Sequence, residues 1–130
     1  MTEWRWIDEA VILAIHDEQL AEHGGRMGLR DRGLLQSALA RPVHRAAYGK
    51  SDVFDLAAAY AFGIARDHPF VDGNKRTAYV AAELFLLKHG YELTTSDADA
   101  VIAMLRLAEG AMSERAFADW LRGGSVVFET

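Results

Sequence analysis

Residues 51–90 read SDVFDLAAAYAFGIARDHPFVDGNKRTAYVAAELFLLKHG. Two long apolar stretches flank a short polar one. Phe54, Leu56, Ala57, Ala58, Ala59, Tyr60, Ala61, Phe62, Ile64 and Ala65 cover nearly the whole circumference of a helix expected to start at a Ser51 cap and run to about Asp67. Ala78, Tyr79, Val80, Ala81, Ala82, Leu84, Phe85, Leu86 and Leu87 do the same for a helix that begins near Asn74 and stops at His89-Gly90. A helix apolar all round is a buried one. These two are therefore expected at the centre of the molecule, with Pro69 pushing His68 towards an extended conformation between them. The link from His68 to Gly73 thus begins and ends in the middle of the fold.

Working outward, the rest of the chain also reads as helices, and alternating strand patterns are nearly absent. Asp8 is a plausible cap for a helix to about Glu22 that Gly24-Gly25 stops, with Val11, Ile12, Ile15 and Leu20 as its apolar stripe. A second helix spans about Asp31 to Ala40, where Pro42 is expected to end it and leave residues 42–50 as a connector. After residue 90, Ser96 caps a helix to about Glu109, and Ser113 opens a last one ending at Arg122-Gly123. A short apolar tail, Val126-Val127-Phe128, follows. The expected fold class is all-α: a compact bundle of about six helices forming a single domain over residues 1–130.

Composition agrees. The chain has 130 residues, 51% of them hydrophobic and 25% charged, enough for one hydrophobic core and unlike a disordered segment. With no cysteine, disulfides, thiolate zinc sites and cysteine nucleophiles are excluded. No apolar run has membrane-spanning length. Met1-Thr2-Glu3-Trp4-Arg5-Trp6 lacks the basic-then-apolar order of a secretory leader, so a cytoplasmic location is expected. Trp4 and Trp6 are expected to form a flap on the core. The net charge of −5 argues against direct nucleic-acid binding. It is unevenly spread: residues 26–50 hold six bases (Arg26, Arg30, Arg32, Arg41, Arg45, Lys50) and one acid, whereas residues 1–25 hold six acids and one base. Such a basic segment is either a solvated face or a seat for an acidic partner.

The central link carries the chemistry. It offers a titrating imidazole (His68), a carboxylate (Asp72), a glycine (Gly73), an amide (Asn74) and two cations (Lys75, Arg76) at the start of a buried helix. Unpaired N–H groups and the positive dipole end make such a terminus an anion site. Gly73 lets the backbone approach a phosphate, and Lys75 and Arg76 add full charges. Asp72 suits Mg²⁺ rather than phosphate. His68 can take a proton from a hydroxyl. Taken singly, each of these residues could equally join or cap helices; their density at one buried terminus favours a metal–nucleotide site with a general base.

The run His68-Pro69-Phe70-Val71-Asp72-Gly73-Asn74-Lys75-Arg76 closely resembles the signature of the Fic/Doc superfamily, H-x-F-x-(D/N)-(A/G)-N-K-R. Its Lys75-Arg76 ending looks like the death-on-curing (Doc) branch, as do His16-Asp17, Gly24-Gly25, Gly28 to Leu35 and Ala46-Ala47-Tyr48. The resemblance implies an all-helical fold with ATP and Mg²⁺ as cofactors. It implies His68 as general base and Asp72 as the metal ligand, with Phe70, Gly73, Asn74, Lys75 and Arg76 binding the nucleotide. In the adenylylating branch the motif resembles HPFxxGNGRxxR. Here Lys75 replaces the second glycine and Tyr79 the second arginine. In Doc-type proteins that replacement accompanies a reversed nucleotide and transfer of the γ-phosphate to a threonine of elongation factor Tu, which arrests translation. Lys75 fills space a glycine leaves open, and Tyr79 offers no cation to the far phosphates. The resemblance thus implies the toxin of a toxin–antitoxin system that acts as a protein kinase. Protein adenylylation and a silent binding module are the alternatives.

Two further readings bear on partners. Family members are often held off by an (S/T)xxxE(G/N) helix. Glu109-Gly110 is the only Glu-Gly pair here, and the residue four before it is Leu105. The inhibitor is therefore expected in trans, as an antitoxin segment folding as a helix over the active-site groove, for which the basic stretch 26–50 would suit an acidic partner. Residues 42–50 match the position of the target-docking flap of Fic proteins, read here as a loop. His16-Asp17 also resembles the dipeptide of metal-dependent HD phosphohydrolases, without the further ligands that chemistry needs.

Overall fold

A computed structural model describes residues 3–128. Met1 and Thr2, which enter the leader argument, and Glu129 and Thr130 lie outside the described residues. Six helices, α1 (Glu9–His23), α2 (Arg32–Tyr48), α3 (Val53–Asp67), α4 (Asn74–Lys88), α5 (Asp97–Ala108) and α6 (Glu114–Gly123), are joined by two short strands, β1 (Tyr91–Leu93) and β2 (Ser125–Val127). The fold is all-α in class, and α3 and α4 lie at its centre.

α3 is the more enclosed of the two. It packs against α2, α4, α5 and α6, and eleven of its residues are buried. Small side chains allow this: at Gly63 an added Cβ would stand 3.0 Å from the Cα and Cβ of Ala38 on α2, so the two helices approach at backbone distance. α4 packs on α3, with α1 and α5 alongside, and keeps Leu87 at the surface. The expected tryptophan flap is present: Trp6 stacks on Phe85 of α4 at 5.9 Å, and Trp4 lies 6.3 Å from Phe85 and 5.4 Å from His89.

Four expectations are corrected. α3 is capped by Asp52, not Ser51: Asp52 accepts from the Asp55 N–H while the Asp55 carboxylate accepts from the Asp52 N–H, a reciprocal box that Ser51 cannot complete. α2 does not stop at Ala40 but runs through Pro42 to Tyr48. Pro42 extends the buried face made by Leu35 and Ala38, and the turns on both sides of it are tied to α6, where Glu114 accepts from Arg41 Nε at 2.6 Å and also from Arg45 Nη1. These tertiary contacts outweigh the lost N–H. Residues 42–48 are therefore helical, not a connecting loop or flap. Val11 is exposed rather than part of the α1 core stripe. Strands also occur: the apolar tail pairs antiparallel with β1, Tyr91 opposite Val127 and Leu93 opposite Ser125. Three residues are too few to show alternation in a sequence.

Candidate active site

α3 ends at His68, which takes a left-handed conformation (φ 51°, ψ 57°) and donates its N–H to Ile64 O. It is the only non-glycine residue with positive φ among the described residues. The extended conformation expected before Pro69 is thus corrected, and the cause lies in the segment before α2. Arg30 donates from Nε to His68 O at 2.7 Å and from Nη2 to Asp67 O at 2.9 Å. The backbone N–H groups of Arg30 and Asp31 both donate to Pro69 O, Val71 N–H donates to Gly28 O, and Leu29 and Phe70 form an antiparallel bridge. Residues 28–31 thereby strap the loop. A non-glycine residue at positive φ is costly, of order 1–3 kcal/mol, and persists only where its surroundings hold it.

Inside the loop, two side chains turn inward. Phe70 is 1% exposed and stacks on His16. The ring is enclosed in the core of the ligand-free fold. Asn74 is also buried; its Oδ1 accepts from Phe70 N–H and its Nδ2 donates to Phe70 O, both at 2.9 Å. Its amide therefore shapes the loop rather than reaching outward. Asn74 Nδ2 also lies 3.5 Å from Nδ1 of the exposed His68 imidazole, at the outer limit of a hydrogen bond.

The remaining groups face outward. Asp72 is exposed, and its carboxylate accepts from the Gly73 N–H at 2.8 Å and the Arg26 N–H at 3.1 Å. The Arg26 bond, then the Gly73 bond, and more weakly the Arg76 and Lys75 charges, hold its carboxyl below the usual range, so it is ionised at neutral pH. Gly73 caps α4 at φ 78°, a left-handed conformation that favours glycine. The N–H groups of Asn74, Lys75 and Arg76 have no acceptor among the described residues, the orphan donors of a helix start. Lys75 and Arg76 are exposed and form no ion pair there. Tyr79 is half-buried one turn on, with its hydroxyl 3.1 Å from Thr95 Oγ1.

The donor set fits Mg²⁺–nucleotide. An ionised, outward oxygen ligand beside free N–H donors and two cations is what a phosphate-bridged Mg²⁺ needs, since that ion takes one or two carboxylates and completes its shell with phosphate and water. The absence of any cluster of three acidic or histidine ligands among the described residues is compatible with this. It does not suit HD-type hydrolysis, whose His16 here points its Nε2 at the Asp72 carbonyl while Asp17 is exposed.

Sequence reasoning assigned no role to the Arg30 strap, the Arg26 amide or His16. Their signals were the family likeness of His16-Asp17 and of Gly28 to Leu35, and the place of Arg26 in the basic stretch. Four of the six bases of 26–50 have partners within the chain while staying partly exposed: besides Arg30, Arg32 pairs with Glu9, and Arg41 and Arg45 share Glu114.

An all-helical bundle with this loop between its two central helices defines a class. The profile described as the Fic/DOC family matches residues 6–86, and the chain belongs to that family. It is similar to the protein named Protein kinase doc of Escherichia phage P1, 36% identical over 121 residues that cover 91% of this chain and 94% of that protein. It is also similar to Toxin Doc of Mycolicibacterium smegmatis, 47% identical over 73 residues, 54% of this chain and 55% of that one.

Proposed function

We propose that this protein is the toxin of a toxin–antitoxin pair and a protein kinase that moves the γ-phosphate of ATP to a threonine or serine hydroxyl of elongation factor Tu, arresting translation in the cytoplasm. The observation that carries the reading is the outward set of Asp72, Lys75, Arg76 and three free N–H groups at the start of α4, next to an exposed His68. The names of the two relatives support the toxin and kinase parts.

In this reading His68 accepts the proton of the target hydroxyl as its oxygen bonds to the γ-phosphorus and the β–γ bridging P–O bond breaks, with ADP as leaving group. Asp72 holds Mg²⁺. The free N–H groups of α4 and the Lys75 and Arg76 side chains bind phosphate oxygens and neutralise charge that develops in transfer. Phe70 and Asn74 set the loop. Bound Mg²⁺·ATP would supply the phosphoryl group and the metal charge. Lys75 occupies the place of a glycine, and Tyr79 is engaged with Thr95 and carries no cation, which disfavours the pose that would transfer AMP. An antitoxin helix over this groove would be the natural inhibitor.

The test is incubation of the pure protein with elongation factor Tu and ATP labelled at the α or the γ position. Label from γ alone is expected. Label from α would refute the kinase reading in favour of adenylylation.

A further inference from the structure

His16 lies on α1, 56 residues before Asp72, and is 4% exposed, yet the proposed reaction does not use it. Its ring covers the Phe70 ring, with centroids 3.8 Å apart and planes 8° apart. Its Nε2 is 2.8 Å from the Asp72 carbonyl oxygen. A carbonyl only accepts, so Nε2 carries the hydrogen and donates it. The ring face therefore holds residue 70 and the ring edge holds residue 72.

The second contact has two consequences. It fixes the backbone of the residue whose carboxylate is aimed by the Arg26 and Gly73 N–H groups. It also occupies the Asp72 carbonyl, which a helix beginning one residue earlier would give to the Arg76 N–H. With Gly73 left-handed, α4 starts at Asn74 and the Arg76 N–H stays free, and the Asp72 carbonyl is turned to His16 instead. A flat ring with an in-plane N–H does both jobs at once; phenylalanine would keep the stack alone and glutamine the donor alone.

We propose that His16 is a positioning residue that clamps the turn 70–73, presenting the Asp72 carboxylate to a divalent cation and the start of α4 to phosphate. The inference rests on the metal–nucleotide reading of this site. It is tested with His16→Phe and His16→Gln by amide hydrogen exchange of the ligand-free protein and by the Mg²⁺ dependence of transfer. His16→Phe should melt near the unmodified protein. It should exchange the Arg26 and Gly73 amides about tenfold faster and need about tenfold more Mg²⁺ for half-maximal rate, the scale of a lost outer-shell partner. His16→Gln should bring both back to within about threefold. Should His16→Phe melt below the assay temperature, His16→Met, which also lacks a donor, takes its place. Unchanged exchange at Arg26 and Gly73, or faster exchange at all amides together with a lower Tm, overturns the proposal. If the unmodified protein transfers no phosphate, the kinase reading fails, and exchange alone decides the role of His16.

Discussion

Two basic regions of this molecule look alike on paper and differ in three dimensions. Arg41 and Arg45 on α2 converge on one carboxylate, Glu114 of α6, whose side chain is 10% exposed. Arg32 is matched to Glu9, and Arg30 to two main-chain carbonyls. Lys75 and Arg76, at the start of α4, are exposed and form no ion pair among the described residues. The first region spends its charge on joining helices, the second leaves it free. A run of basic residues in the sequence therefore does not show which charges stay unpaired in the fold.

The contrast can be broken by mutation. The largest effect is expected at the site: His68→Ala should lower phosphate transfer by about 10²–10⁴, the worth of a general base, with Tm nearly unchanged because the imidazole is exposed. Steady-state rates and a melting curve on the same sample check both halves. Asp72→Asn should act in the same direction, and its activity should not return at ordinary Mg²⁺.

Next is the α2–α6 seam. Glu114→Ala leaves two arginines facing each other without their carboxylate. Both are partly solvated, so the cost should fall below that of a fully buried pair, about 2 kcal/mol by denaturant titration. By contrast, Arg76→Ala should leave stability within about 0.5 kcal/mol and weaken nucleotide binding instead. Equal stability losses in the two variants would erase the distinction.

The smallest expected effect is at Glu83. Burial first, and the Asp97 charge second, raise its carboxyl above the ordinary range. A raised acid binds protons more tightly in the folded state, so its charge costs stability as pH rises through the folded pKa and costs nothing below the unfolded one. Glu83→Gln should raise Tm by about 1–3 °C at pH 7, and the gain should vanish at the acidic end of the carboxylate range.

The two central helices and the loop between them were legible because their signals are local: continuous apolar circumference, a Gly-Asn start and a dense functional run. What escaped depends on residues distant in the chain. Pro42 reads as a helix end until Glu114, 69 residues after Arg45, is seen to anchor the turn beyond it. The left-handed His68 follows from Arg30, 38 residues earlier, and contradicts the usual preference before proline. The enclosure of Phe70 likewise depends on His16, 54 residues earlier, whose ring stacks on it. The two strands rest on three-residue pairings with no periodicity to read.

The aromatic cluster of Trp4, Trp6, Tyr60, Phe85 and His89 has a practical consequence. It sits at the far end of α4 from Asn74, about 20 Å along a helix of that length. Emission from Trp4 and Trp6 thus reports whether the helices are assembled and is blind to what occupies the loop. In a Trp120→Phe background, which removes the third tryptophan on α6, a fluorescence melt can separate variants that fail to fold from variants that fold and fail to act. Conversely, a change in the emission of these two residues on adding nucleotide would have to be transmitted along the whole of α4.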